Sequence, residues 1–506
     1  MTSDGPAEDV LDAIVDSVAT SRGVPRDALA VLDARKLSGG ASRLTWMVQV
    51  GGARSGLSGA GVPGAGVPGG GGSGTGRSGT GKPDGGDSGA GQSDSEQDVI
   101  EVVLQLERPG SAGANLSMPQ QAELITAAGQ REVPVPEVLT FGERSDGAGY
   151  AVLGRLDGES LPSRVLSDDE FGNARANLAV EVGEAAARIH SIDTSVLPGQ
   201  GVPDPLEMMR SLMDGLGEPH PAFELGLAWL AEKRPGQREA AVVHGDLRMG
   251  NLLVDRTGLE GILDWELAHR GSPVEDLGWF CARAWRFGSP LRAGGVGTVE
   301  QLLDGYEAGG GQRPDPAELD WWEAYACLRW GLICVLQASV HLSGAHRSVE
   351  LAAIGRRADE CEEDLLEIIH GPSPIAPPEP AGDVHRSSGP HGRPSAPELL
   401  EAVSEHLDGQ RRRLSGSEAF HMRVARNVVD MVRREVELAD VLAARHDARL
   451  ARLGVADDAE LADGIRSGSI DPADTTLIAE VRASVRDKLA VSHPGYWLGD
   501  APVATR

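Results

Sequence analysis

Short apolar-rich runs separated by polar positions, "VIEVVLQL", "EVLTFGE" and "GYAVLGRL", read as three β-strands. "LTWMVQV" is equally β-prone and is expected to pair with the strand that "DVIEVVLQLE" forms. Downstream the pattern turns from strand-rich to helix-rich, and "LAVEVGEAAARIHSI", "WWEAYACLRWGLICVLQASVHL" and "LAAIGRRADECEEDLLEII" each read as one helix. Near the C-terminus Phe420, Val424, Val428 and Val432 recur at i+4, as do Leu477, Val481, Val485 and Leu489. Glu398 to Arg506 is therefore a further set of helices, with Asp471 and Pro472 as a predicted N-cap and first helical position. The pattern as a whole predicts a small sheet lobe, a larger helical lobe and a helical tail.

Two stretches interrupt this pattern. Residues 51–98 are almost entirely Gly, Ser and small polar residues, and residues 371–397 are rich in proline. Neither carries enough apolar side chain to offset its chain entropy. The first is an insertion between two pairing strands, tolerable at a surface because loop-closure cost grows only logarithmically with length. The second is an interdomain linker. The expected divisions are 1–155, 156–370, the linker 371–397 and 398–506.

The chain has 506 residues and a net charge of -29, from 47 Lys plus Arg against 76 Asp plus Glu. That balance repels nucleic acid and anionic membranes at long range, so neither is expected as a partner, and a phosphorylated ligand needs a locally positive pocket. The cysteines Cys281, Cys327, Cys334 and Cys361 stand singly, without zinc-site or disulfide spacing, and read as buried thiols. The acidic, amphipathic N-terminus does not resemble a signal peptide, and no apolar run is expected to span a membrane. These features together predict a cytoplasmic protein.

A phosphate cradle is suggested by "GTGRSGTGKP", where Gly76, Gly81 and Lys82 have P-loop spacing. Pro83 occupies the position that needs a Ser or Thr, and the flanks can form neither the strand nor the helix that a P-loop requires. The spacing is a coincidence of a glycine-rich run. The informative stretch is "VVHGDLRMGNLLVDRTGLEGILDWELAHRGSPVEDLGW", Val242 to Trp279. It reads as strand, polar loop, strand, a turn at Gly258 and a returning strand. Asp246 and Asn251 are five apart, the D-x-x-x-x-N spacing with which kinases receive the acceptor's proton and hold Mg²⁺. Asp264, ending the returning strand, suits a second metal-binding group, and hard Mg²⁺ favours such oxygen ligands. Arg248 reads either as a solvated loop residue or as a cation that approaches a transferring phosphoryl group, and the second is the role expected of it. His244 reads as a core residue that shapes the loop, and Ser272 to Glu275 as a capping box with Asp276 in the first helical turn.

"HGDLRMGNLLV", "ILDWE" and "DLGW" together resemble the aminoglycoside phosphotransferase and choline kinase superfamily. More narrowly, the chain is similar to the kinase-like part of certain acyl-CoA dehydrogenase fusions. The resemblance runs from about Val31 to His370 and implies an α+β, protein-kinase-like two-lobed fold, with the tail as a separate α-helical domain. It implies ATP and Mg²⁺ as cofactors and a hydroxylated small molecule as acceptor. It further implies phosphate contacts at Gly39, Gly40 and Ser42 and an orienting glutamate at Glu123. Adenine is expected to bond the backbone near Leu153 to Arg155. Gln105 stands where the family usually carries a cation, and Arg43 is the candidate replacement. A hydroxyacyl-CoA is the acceptor that the narrower resemblance suggests. The alternatives are an antibiotic kinase (aminoglycoside or macrolide) and a non-catalytic nucleotide- or acyl-CoA-binding protein that regulates a partner enzyme. The helical tail is the element expected to dock a protein partner.

Overall fold

The computed structural model describes residues 6–37, 43–52, 99–107, 116–144, 146–197, 201–373 and 393–496. The chain divides into two compact units, Met1–Pro109 with Leu139–Arg155, and Gly110–Val138 with Leu156–Arg506. The first is built on an antiparallel sheet. After helix α1 (Glu8–Arg22) come β1 (Leu29–Lys36), β2 (Arg43–Gly52), β3 (Ile100–Glu107), β4 (Val138–Glu143) and β5 (Gly149–Gly154), in the order β1-β2-β3-β5-β4. β2 and β3 are neighbours, as their patterns predict, with Trp46 opposite Leu104 and Val48 opposite Val102. The period of two is visible in burial: Val102, Leu104 and Leu106 of β3 point inward, and Gln105 lies on the other face. Val10, Ile14 and Val18 of α1 close that core.

The second unit is helical. It starts with α2 (Met118–Gln130) and continues through α3 (Pro162–Ser167), α4 (Gly172–His190), α5 (Pro205–Leu216) and α6 (Pro221–Glu232). Two small antiparallel pairs follow: β6 (Ala241–Val243) pairs with β9 (His269–Gly271), and β7 (Leu252–Val254) with β8 (Leu259–Ile262). Then come α7 (Val274–Cys281), α8 (Val299–Ala308), α9 (Pro316–Leu342), α10 (Val349–Gly355) and α11 (Ala358–His370). The tail forms α12 (Ala396–Arg411), α13 (Gly416–Leu453), α14 (Asp458–Ser467) and α15 (Thr475–Ser492). A small β-rich unit and a larger helical one, followed by tail helices, is the fold class that the sequence predicts.

Several local expectations need correction. "LAAIGRRADECEEDLLEII" is two helices, with the chain turning at Arg356 and Arg357; Gly355, the last residue of the first, packs so close to Ala338 that a Cβ would lie 2.5 Å from that residue's methyl. The N-cap of α15 is Asp474, whose carboxylate accepts from the Thr476 and Leu477 amides; Asp471 instead forms the preceding turn by accepting from Ala473. The linker ends two residues early, at Ser395, which forms a capping box with Glu398. α9 is long and apolar enough to cross a bilayer, contrary to the expectation, yet Trp321, Leu328 and Leu332 bury it in the helical core. All four cysteines are buried and unbridged. Gly39, Gly40, Ser42, the "GTGRSGTGKP" run and nearly all of the 51–98 insertion lie outside the described residues.

Candidate active site

β6 delivers the chain into His244, Gly245 and Asp246. Gly245 has φ 78°, and a Cβ there would sit 2.4 Å from the Leu267 carbonyl oxygen, so only glycine lets the loop turn against that segment. His244 is buried and neutral: desolvation holds its pKa below the ordinary value, its Nδ1 accepts from the Asp246 amide at 3.2 Å, and its Nε2 donates to the Leu263 carbonyl at 3.1 Å. It shapes the loop, as expected.

Asp276 anchors the same loop from α7. Its carboxylate accepts from the His244 amide at 2.8 Å, the Gly245 amide at 2.9 Å and His190 Nε2 at 3.1 Å. Burial, which is complete at 0 % exposure, opposes the charged form, but the hydrogen bonds from His190 and the His244 amide hold its pKa below the ordinary carboxylate value. The sequence reading placed Asp276 as a helix-dipole charge and missed this role. The predicted capping box is absent. The Glu275 carboxylate does not turn back to Ser272; it pairs with His269 Nε2 at 3.2 Å and Arg329 Nη1 at 3.2 Å.

Asp246 is 8 % exposed, and its side chain is fixed by three donors. Trp279 Nε1 and Arg248 Nε donate to Oδ1 at 2.9 and 3.0 Å, and Asn251 Nδ2 donates to Oδ2 at 2.7 Å. Arg248 also lies 4.9 Å from the centre of the Trp285 ring. Asn251 closes a single 3-10 turn, Met249–Asn251, and its Nδ2 is shared with the Asp246 carbonyl at 2.9 Å. That commitment leaves Oδ1 as the amide atom suited to a cation.

The β7–β8 hairpin carries Asp264 back to this loop. Beyond the Leu252–Ile262 pair, the Leu263 amide donates to the Asn251 carbonyl at 2.8 Å, and Asp264 follows directly. Asp264 has φ 69° and ψ 66°, the left-handed region that Asp tolerates better than most residues and that recurs at functional sites. Asp246, Asn251 and Asp264 are thereby brought to one loop-and-hairpin end. Among the described residues no group of three or more His, Cys, Asp or Glu is arranged to hold a metal ion. The expected set is smaller, one amide oxygen and one carboxylate completed by nucleotide phosphates, and these two hard donors fit Mg²⁺.

The other predicted contacts are spread over both units. Arg43 is buried at the start of β2, with its Nη1 3.4 Å from Gln105 Oε1 on β3. Leu153 is buried in β5, and Arg155, just beyond it, is ion-paired with Glu101. Glu123 is exposed on α2.

Residues 90–322 match the phosphotransferase enzyme family, and residues 412–496 match a domain of unknown function. The chain is 23 % identical over 273 residues to acyl-CoA dehydrogenase family member 10 of Mus musculus, covering 48 % of this chain and 25 % of that protein. It is 27 % identical over 179 residues to acyl-CoA dehydrogenase family member 11 of Gallus gallus, covering 33 % and 23 % respectively. The chain thus spans about a quarter of the length of these curated relatives. Among solved structures it is similar to an aminoglycoside phosphotransferase-type protein of Ralstonia eutropha, with 18 % identity, a TM-score of 0.48, and coverage of 70 % of this chain and 97 % of that one.

Proposed function

We propose that the chain is an ATP- and Mg²⁺-dependent kinase that transfers the γ-phosphoryl group to a hydroxyl of a small molecule. The observation that carries this reading is the Asp246 carboxylate fixed by Trp279, Arg248 and Asn251 beside the hairpin end that holds Asp264. Asp246 orients the acceptor hydroxyl and takes its proton as the oxygen attacks the γ-phosphorus; the bond to the departing ADP breaks and the phosphoryl group passes to the acceptor. Such transfers have loose transition states, so positioning and charge neutralisation contribute more than base strength. Asn251 Oδ1 and Asp264 would hold Mg²⁺, which supplies charge neutralisation on the phosphates. Asp276, by fixing two loop amides, keeps Asp246 in register. Arg248 holds Asp246 and is the cation assigned to the transferring group.

Gln105 brings no charge, which favours a non-catalytic reading, but Arg43 beside it supplies a guanidinium on the same pair of strands. We therefore assign phosphate contact to Arg43 and Gln105 together with Gly39, Gly40 and Ser42, adenine contact to the backbone at Leu153 and Arg155, and an orienting role to Glu123. The relationship to acyl-CoA dehydrogenase family members supports a hydroxyacyl-CoA as acceptor. The test is phosphate transfer from ATP across a panel of hydroxyacyl-CoAs, aminoglycosides and macrolides, after Mg²⁺–ATP binding has been measured by calorimetry. Transfer to a thioester supports the full reading, transfer to a drug redirects the acceptor, and binding without any transfer favours a regulatory protein.

A further inference from the structure

We propose that a large cavity in the helical unit is the acceptor pocket and that it selects acceptors with an anionic head group, phosphate or carboxylate, on an apolar body; this rests on the kinase reading above. The cavity has a volume of about 1010 Å³, at the upper end of what small-molecule sites occupy. It lies between the loop ahead of α5, the segment ahead of β6, the segment from Glu266 to Ser272, and α9.

Its charge runs against that of the chain. Arg234, Arg238, Arg270, Arg329 and His269 line it, against the carboxylates of Asp204, Glu266 and Glu275, in a protein of net charge -29. Two of the arginines are structural. Arg238 is gripped by Glu318 through two bonds of 2.6 Å, and Arg329 by Glu275 and the Gly245 carbonyl, the latter at 3.0 Å. Arg234 differs, because its side chain is 45 % exposed and its partner Asp204 is 30 % exposed. A half-exposed pair of this kind contributes little to stability and yields readily to a ligand anion. We assign the head group first to Arg234, with Arg270, which also has a partner within the protein, as a second cation of the cavity lining. The apolar body is served by Trp321, Trp322 and Tyr325 on α9 and by Met208 on α5.

The cavity shares a wall with the catalytic loop. Arg329 lines the cavity, donates to the carbonyl of Gly245, and lies 4.7 Å from the centre of the Trp279 ring, whose indole N–H donates to Asp246. A polycationic sugar would meet guanidiniums here, whereas an anionic acceptor finds partners.

The test uses the full chain saturated with Mg²⁺–AMP-PNP, so that no probe can report from the nucleotide site. Coenzyme A serves as the phosphate probe, 3-hydroxydecanoate as the carboxylate probe and kanamycin as the polycation, each titrated by calorimetry. We expect at least one anionic probe to bind, kanamycin to give no binding heat, and Arg234→Ala to weaken the anion. Arg234→Ala combined with Arg270→Gln should weaken it about tenfold or more while AMP-PNP affinity stays within about twofold. Kanamycin binding, no anion binding to the nucleotide-loaded protein, or unchanged affinity in both variants would overturn the proposal and leave the kinase reading intact. Failure of AMP-PNP itself to bind would overturn the kinase reading, and with it the assignment of this cavity to an acceptor.

Discussion

One carboxylate collects three donors at Asp246, so replacing it separates positioning from proton transfer. Asp246→Asn keeps the side-chain shape and removes the proton acceptor. Transfer should fall by about 10²- to 10⁴-fold while calorimetry finds Mg²⁺–ATP binding little changed. Arg43→Ala should weaken Mg²⁺–ATP by about ten- to a hundredfold, the effect of losing a charged hydrogen bond, and Gln105→Ala should cost less. His269 gives a pH signature. Burial opposes its charged form, but the Glu275 carboxylate wins and raises its pKa from 6.5 to about 9. A raised pKa means stability that is full below pH 6.5 and is lost as pH rises through about 9. Thermal unfolding between these limits should show that decline in the wild type, and His269→Gln should flatten it. Asp246 and Asn251 were legible because their spacing is local, five residues that close on one 3-10 turn. Asp276, Trp279 and Arg329 were not, since they meet the loop across 32, 33 and 84 residues of chain. No local pattern marks such partners, and at Ser272 to Glu275 a capping-box spacing pointed the wrong way.

Among the elements, the pairing of β2 with β3 followed from two β-prone segments flanking the insertion and most helices from period, and the failures show what period omits. Two stripes in the tail have the same i+4 spacing. Leu477, Val481, Val485 and Leu489 are buried, while Phe420 and Val432 are 39 % and 42 % exposed. The difference is the partner: α15 packs into a core with Leu450, Leu461 and Ile465, whereas the N-terminal half of α13 lies beside α12, which has no buried residue. Periodicity identifies a face but not what covers it. That core also contains Ala222 and Leu225 of α6 and Leu366 of α11, so the tail packs on the helical unit itself. The seam is charged as well as apolar, for Arg486 on α15 pairs with Glu363 on α11 at 2.7 Å with both side chains buried. Arg486→Ala strands a buried carboxylate and should cost about 3–5 kcal/mol in urea unfolding, and Arg486→Met paired with Glu363→Gln should recover part of it.

For the molecule as a whole, the fold class was legible because long segments of consistent period bracket two low-complexity stretches. The tail's packing was less so, because nothing in the proline-rich linker signals that α15 shares a core with α6 and α11. Removing residues 396–506 should therefore expose Ala222, Leu225 and Leu366 and lower the melting temperature of what remains, measured by differential scanning calorimetry. Composition gives the net charge of -29 yet is silent about the local excess of arginine in the cavity beside the catalytic loop. Transfer turns on two oxygen-bearing side chains, Asn251 and Asp264, that share one divalent ion with a nucleotide beside the proton acceptor Asp246. Electron paramagnetic resonance of Mn²⁺ titrated with AMP-PNP reads this directly. Wild type and Asp246→Asn should bind the ion together with the nucleotide, and Asn251→Ala and Asp264→Ala should weaken it by about tenfold or more. Equal Mn²⁺ affinity in all four proteins would contradict the site.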